Sequence, residues 1–372
     1  ANHTVTFRLK APNAQKVQIT GDFLPTKQID TPVGKYDAPG VADLVKDDKG
    51  VWSFTSTNLS PELYSYNLLL DGVKIVDPGS VYITRDITSV TNIFILSDKK
   101  GDCGDLYTVN EVPHGNVQKV WYDSPTLKMQ RRMTVYTPAG YDKGKDYPVL
   151  YLLHGAGGDE DAWTTLGRAS QILDNLIATG KAKPMVVVMT NGNPNCQAAP
   201  GEWSAGMYVP SFYGYQGAKA VATMDESFPD VMNYVESHYK VGKDKAHRAI
   251  CGLSMGGGHS FDISRRFPNK FDYVGLFSAG LHVGKTGDFR TDFYKMLQED
   301  EEAKQQLATL FKNKPKLYWI GMGKTDFLYK STAGLRRYFD EKGYKYTYME
   351  TEGGHIWRNW RVYLTEFAQK IF

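Results

Sequence analysis

The segment HRAICGLSMGGGHSF sets a lone serine among glycines, in the pattern Gly252-Leu253-Ser254-Met255-Gly256. A G-x-S-x-G of this kind suits a nucleophilic serine held on a sharp strand-to-helix turn. The apolar run before it reads as a strand and the run after it as a helix. At so tight a turn the backbone is strained, and residues two before and two after the serine have no room for side chains. The helix then aims its first N–H groups at the serine, which favours developing negative charge. Ser254 is therefore the candidate nucleophile for acyl transfer.

Such a serine needs a base and an acid that orients the base, and a sheet of this type supplies them in the chain order serine, acid, histidine. Asp326, in YWIGMGKTDFL, stands just past one apolar strand, and His355, in TEGGHIW, just past the next. Both fall on strand-end loops. Glu350 and Glu352 are rival acids, on or beside the strand that leads to His355. His259 follows the serine by roughly a turn and a half of helix and is expected to point away from it. His282, at the end of another strand, is the alternative base. A third requirement is a set of N–H donors for the oxyanion. The run LLHGAGG closes the first long apolar strand, and backbone N–H groups at Gly155 or Ala156, with that of Met255, are the candidates. Phosphate is the competing ligand for a glycine-rich turn. No G-x-x-x-x-G-K-[ST] run is present, and Asp159, Glu160 and Asp161 are expected to repel phosphate.

These residues must be positioned by strands that alternate with helices. After residue 118 the pattern runs RRMTVYTPAGY (strand), YPVLYLLHGAGG (strand), GRASQILDNLIATG (helix), PMVVVMTNG (strand), FPDVMNYVESHY (helix) and HRAICGLS (strand). It continues in the same way to a final helix. The alternation predicts an α/β fold, a mainly parallel doubly wound sheet with its ligand site at the carboxyl ends of the strands. Residues 1–98 read differently, as short alternating strands broken by turns, which predicts a small all-β sandwich. Residues 99–118 are polar, glycine-containing and without period, and read as a joint between the sandwich and a second domain over 119–372.

Bulk properties limit the remaining possibilities. The 372 residues carry 44 basic and 41 acidic side chains, a net charge of +3, with no basic tract, so nucleic acid is not an expected partner. No apolar run has the length of a membrane span. Cys103, Cys196 and Cys251 match neither a metal-ligand spacing nor a disulfide framework. Aromatic residues make up 13% of the chain, which suits a carbohydrate or aromatic ligand. Beginning at Ala1 without an apolar leader, the chain reads as processed or trimmed.

The second domain resembles the esterase D-like branch of the α/β-hydrolases, and within it the family 1 carbohydrate esterases. The resemblance is carried by YPVLYLLHGAGGDEDAW, KPMVVVMTNG, RAICGLSMGGGHSF, FDYVGLFSAG and GGHIWRNWR in that order. It implies Ser254 as nucleophile, Asp326 as orienting acid and His355 as general base, with no metal or cofactor. It also implies a serine esterase acting on feruloylated or acetylated plant polysaccharide, in a secreted, periplasmic or cell-surface setting in bacteria. Trp163, Trp203, Tyr208 and Trp357 are the aromatics expected near the mouth of the site. The first domain resembles the immunoglobulin-like carbohydrate-binding modules of the glycogen-binding type, through Gly21-Asp22-Phe23, Gly50-Val51-Trp52, Tyr64-Ser65-Tyr66, Asp71-Gly72 and Asp77-Pro78. It departs from them where Leu24-Pro25-Thr26-Lys27 replaces the tryptophan often found after Gly-Asp-Phe. Acetylxylan esterases and enterochelin-type siderophore esterases are the alternatives within the enzyme class, although no arginine cluster is evident at the strand-end loops to receive an anionic catecholate. Outside that class, the alternative is a carbohydrate-binding protein on an inactive hydrolase scaffold.

Overall fold

Four segments, Val149–Leu153, Val186–Thr190, Arg248–Leu253 and Tyr273–Phe277, are buried at every position. A strand apolar on both faces needs cover on both faces, which a parallel sheet between helices supplies. That is their place in the computed structural model of the protein, which describes residues 3–31, 34–204, 220–284 and 288–372.

Among the described residues the large sheet has eight strands. In chain order they are β1 (Asn116–Ser124), β2 (Met129–Thr137), β3 (Val149–Leu153), β4 (Val186–Thr190), β5 (Arg248–Leu253), β6 (Tyr273–Phe277), β7 (Leu317–Gly323) and β8 (Thr347–Thr351). Across the sheet they run β1-β2-β4-β3-β5-β6-β7-β8. The β1–β2 and β2–β4 pairings are antiparallel, and every later pairing is parallel. Register then fixes which loops share an edge. Leu153 pairs with Gly252, Leu253 with Phe277, Phe277 with Gly321, and Gly323 with Thr351. The loops after β3, β5, β6, β7 and β8 therefore open on one edge.

Three of the helices that pack against this sheet are α1 (Met224–His238), α2 (Met255–Arg266) and α3 (Trp357–Ala368). The sequence reading begins α1 at Phe228, beside Pro229. The helix in fact starts a turn earlier, at a capping box in which Thr223 Oγ1 accepts from Glu226 N–H and Glu226 Oε2 accepts from Thr223 N–H. Pro229 lies inside the helix, where it forgoes one main-chain hydrogen bond rather than marking the boundary.

By its internal packing the chain divides into two compact units, Ala1–Glu111 and Val112–Phe372. In the smaller unit the order of one antiparallel sheet is Ile83–Asp86, Ser89–Leu96, Glu62–Leu70, Val17–Gly21, Gly40–Asp43, with Val73–Ile75 also paired to Glu62–Leu70. A second sheet joins Thr6–Lys10, Val51–Thr55 and Val45–Lys46. Phe7, Val17, Ile19, Trp52, Tyr66 and Leu68 belong to one core. The motif residues of this unit serve that scaffold. A Cβ on Gly21 would stand 2.8 Å from Ser65 O, Asp22 accepts from Ser65 N–H at 2.9 Å, and Trp52 donates to Ala11 O at 2.9 Å.

The stretch 99–118 is not the structureless joint that its composition suggests. Asp102 caps a short helix, Cys103–Tyr107, whose Tyr107 is buried. β1 then begins at Asn116, and its first residues are exposed. An edge strand with one solvated face has too few apolar positions to declare itself. Among the described residues no helix is long and apolar enough to cross a membrane.

Candidate active site

Ser254 stands between β5 and α2 with φ 52° and ψ −115°, a conformation that costs a non-glycine residue about 1–3 kcal/mol. Its backbone is held on both sides. Ser254 N–H donates to Phe277 O at 2.8 Å, and Ser254 O accepts from Gly280 N–H at 2.8 Å and Gly258 N–H at 3.0 Å. The surrounding glycines are needed for lack of space. A Cβ on Gly252 would lie 2.5 Å from Gly256 O, one on Gly256 would lie 2.5 Å from both Leu153 O and His154 O, and one on Gly258 would lie 2.3 Å from Gly280 O. All of these obstacles are backbone, so relief requires moving a strand or a helix. Gly256→Ala is therefore expected to cost about 1–3 kcal/mol, a drop in Tm of roughly 2–10 °C, with a fall in kcat. An unchanged melt and turnover would show that the turn is looser than this.

Asp326 and His355 meet on the loops after β7 and β8. His355 Nδ1 lies 2.9 Å from Asp326 Oδ2, and both residues are buried. The other carboxylate oxygen, Oδ1, accepts from Leu328 N–H at 2.9 Å. The two loops are tied together by main-chain bonds, Lys324 N–H to Thr351 O at 2.9 Å and Thr325 N–H to Gly353 O at 3.0 Å. Gly323 permits this approach, since a Cβ there would lie 2.4 Å from Gly353 O. With Nδ1–H donating to the carboxylate, the neutral imidazole presents Nε2 as its acceptor. The rival acids are occupied elsewhere. Glu350 accepts from the hydroxyls of Tyr329 and Tyr348, and those bonds hold its carboxyl below the usual glutamate range. Glu352 pairs with Lys324. His282 is exposed. His259, inside α2, is pushed down to about 4, first by burial and then by the neighbouring His154.

The loop after β3 reaches Ser254 through Gly155, where a Cβ would come within 3.3 Å of Ser254 Cβ. Its first residue is fixed in a single tautomer. His154 Nδ1–H donates to Gly155 O at 2.8 Å and Nε2 accepts from Gly192 N–H at 2.7 Å. Burial depresses this imidazole's pKa and keeps it neutral. Gly192 in turn opens the loop after β4, which two buried arginines organise. Arg131 donates to the carbonyls of Asn191 and Asn193, each at 2.7 Å, and of Cys196 at 3.1 Å. Arg132 pairs with Glu160 at 2.7 Å, and Glu160 also accepts from Asn191 Nδ2 at 2.9 Å and Ala199 N–H at 2.8 Å. Within the acidic run 159–161, expected to repel phosphate, Glu160 is buried as the partner of Arg132. Sequence alone reveals neither this network nor the role of His154. A buried glutamate between two aspartates looks like a solvated turn until its arginine is known.

The aromatics divide. Trp163, expected at the mouth, is 1% exposed, and its indole N–H is spent on Leu153 O at 2.9 Å. It packs edge-on against Trp357 and Phe277. Trp357 is half-buried between Trp163 and Trp360. Trp203 is 82% exposed, and Tyr208 lies outside the described residues. The rings that frame His355 are others: Phe327 at 4.6 Å and Trp360 at 4.9 Å between centroids. Arginines, not expected near these loops, are also present. Arg168, after β3, and Arg361, on α3, lie near enough that Arg361 adds to burial in lowering the pKa of Arg168.

An eight-stranded sheet of this order, with a strained serine elbow after its fifth strand, is an architecture of the α/β-hydrolase type. The family model for esterases matches residues 124–371, and the chain belongs to that family. It is 30% identical, over 98% of its own length and 44% of the other's, to an endo-1,4-beta-xylanase/feruloyl esterase of Xylanibacter ruminicola. The chain thus spans under half the length of that relative, and 12% of endo-1,4-beta-xylanase Y of Acetivibrio thermocellus, another match. A solved ferulic acid esterase superposes with a TM-score of 0.56 at 25% identity, covering 71% of this chain and all of that one. The enterobactin esterase of Shigella flexneri superposes with a TM-score of 0.63 at 13% identity, covering 98% of this chain and 92% of that one, a likeness of fold alone.

Proposed function

We propose that the protein hydrolyses hydroxycinnamoyl esters, feruloyl esters foremost, on plant cell-wall polysaccharide of the arabinoxylan type, outside the cytoplasm. Ser254 is the nucleophile, His355 the general base and Asp326 the acid that orients it. The observation that carries this reading is the buried His355–Asp326 hydrogen bond on the same sheet edge as the strained Ser254. It is supported by the family and by relatives named as feruloyl esterases.

The steps follow from the groups present. Ser254 Oγ attacks the ester carbonyl while His355 Nε2 takes its proton. The oxyanion is received by backbone N–H groups of Met255 and of Gly155 or Ala156, each such donor being worth about 3–4 kcal/mol. His355 then protonates the departing sugar hydroxyl. A water, deprotonated by His355, attacks the acyl-enzyme; as the tetrahedral intermediate collapses His355 returns the proton to Ser254 Oγ, and the hydroxycinnamic acid is released. Asp326 stays ionised and stabilises the imidazolium in both halves of the cycle.

A panel of methyl ferulate, acetylated xylan and a catecholate trilactone tests the substrate class. The highest kcat/KM is expected for methyl ferulate. Preference for acetylated xylan would move the reading to an acetyl esterase, and preference for the trilactone to a siderophore esterase.

A further inference from the structure

His355 stands in the loop after β8, and its main chain and its ring are held by different neighbours. The main chain is fastened from the first turn of α3, where Asn359 Nδ2 donates to Gly354 O at 2.9 Å. The ring is bonded at Nδ1 to Asp326, and its faces and edges are set by packing. Trp360 meets it edge to face, 4.9 Å between centroids and 84° between planes, and Phe327 meets it at 4.6 Å and 51°. Trp360 is 6% exposed, and its indole N–H has no hydrogen-bond acceptor among the described residues. A buried donor without an acceptor costs stability, so this ring is kept in place by its contacts and not by its polar end.

Trp360 is backed in turn. Trp357, three residues earlier on α3, meets it at 5.2 Å and 84°, and Trp163 meets Trp357 at 5.2 Å and 84°. Trp163 is the anchor. It is 1% exposed, packs against Phe277 of β6, and donates its indole N–H to Leu153 O at the end of β3. The rings therefore run Trp163, Trp357, Trp360, His355, each set edge against face with the next, a favoured aromatic geometry. One end of the series stands at the strand that leads into the loop of Gly155 and Ala156. The other end is the base. Proton transfer needs the imidazole aimed at the serine, and a misplacement of about 1 Å can cost about 100-fold in rate. We infer that Trp360 is a positioning residue for His355, and that the tryptophan series holds the imidazole plane in fixed relation to the oxyanion loop. This rests on the reading of His355 as the general base.

The test uses the full chain and 4-nitrophenyl acetate, so that the result does not depend on which acyl group the site prefers. With rates normalised to folded protein, Trp360→Ala is expected to lower kcat by about 100-fold and to leave KM within about twofold of the parent. Trp360→Phe, which restores a ring and carries no indole donor, should bring kcat back to within about tenfold of the parent. Trp360→Leu keeps apolar bulk without a ring and carries the same comparison should Trp360→Ala fail to fold. Trp357→Ala, at a half-buried position, should lower kcat by a smaller factor, again without raising KM. The His355 Nδ1 proton resonance should be sharp in the parent and broadened in Trp360→Ala, the mark of a ring that moves within a folded protein. Parental kcat in the ring-free variants, or a loss that Trp360→Phe does not repair, would overturn the inference. So would a raised KM at unchanged kcat in Trp357→Ala, which would set that ring against the substrate instead. His355→Ala separates the two readings. If it is inactive while Trp360→Ala keeps parental kcat, the base stands and the positioning role falls; if it is active, the base assignment falls and takes the inference with it.

Discussion

Ser254→Ala is expected to lower kcat on methyl ferulate by roughly 10⁶-fold, as nucleophile removal does in serine hydrolases, while leaving the protein folded. The chemical reason is that the substitution removes the oxygen that forms the acyl-enzyme. The structural reason is that the hydroxyl contributes little to the fold. It makes no cap bond to α2, and the three main-chain bonds at Ser254 N and O survive the substitution. Alanine also retains the strain of φ 52°, so the melt should stay within about 0.5 kcal/mol of the parent. Ser254→Gly, equally inactive, should melt above Ser254→Ala, because glycine occupies that φ without a Cβ penalty. Steady-state kinetics and calorimetry on the two variants separate chemistry from strain. An alanine variant that still hydrolyses the ester within tenfold of the parent would remove Ser254 from the mechanism.

The elbow is legible in sequence because its constraint is local. A Cβ on Gly252, Gly256 or Gly258 would meet backbone atoms at 2.3–2.5 Å, and only glycine answers such a demand, so the pattern survives as letters. The buried strands are legible for a similar reason, since uninterrupted apolar runs bounded by glycine have few alternatives in an α/β chain. Long-range pairings are not. Trp163 reads as a surface aromatic after a glycine loop, and what buries it is Phe277 and Trp357, far along the chain. Glu160 reads as one charge in an acidic turn, and what buries it is Arg132. β1 and the hairpin Lys27–Thr31 with Gly34–Ala38 escape notice because their side chains are mostly exposed, so no hydrophobic alternation marks them.

Asp326→Asn is expected to cost about 10⁴-fold in kcat with little change in KM, and the argument rests on which nitrogen of His355 carries the proton. The carboxylate at 2.9 Å from Nδ1 can only accept, so it selects the tautomer with the proton on Nδ1 and leaves Nε2 free to take one from Ser254. An asparagine amide can donate to Nδ1 instead. The proton then sits on Nε2, and the base is lost without the ring having moved. Packing should hold, because the asparagine oxygen can still accept from Leu328 N–H as Asp326 Oδ1 does at 2.9 Å. Glu350→Gln and Glu352→Gln supply the contrast. Both glutamates are exposed, one held by tyrosine hydroxyls and the other by Lys324, and surface pairs of this kind are worth about 0–1 kcal/mol. Each should retain kcat within about threefold, since neither removes a bond to His355. Kinetics on the three variants with one soluble ester decide the assignment: a glutamine variant that loses activity while Asp326→Asn keeps it would transfer the orienting role to that glutamate.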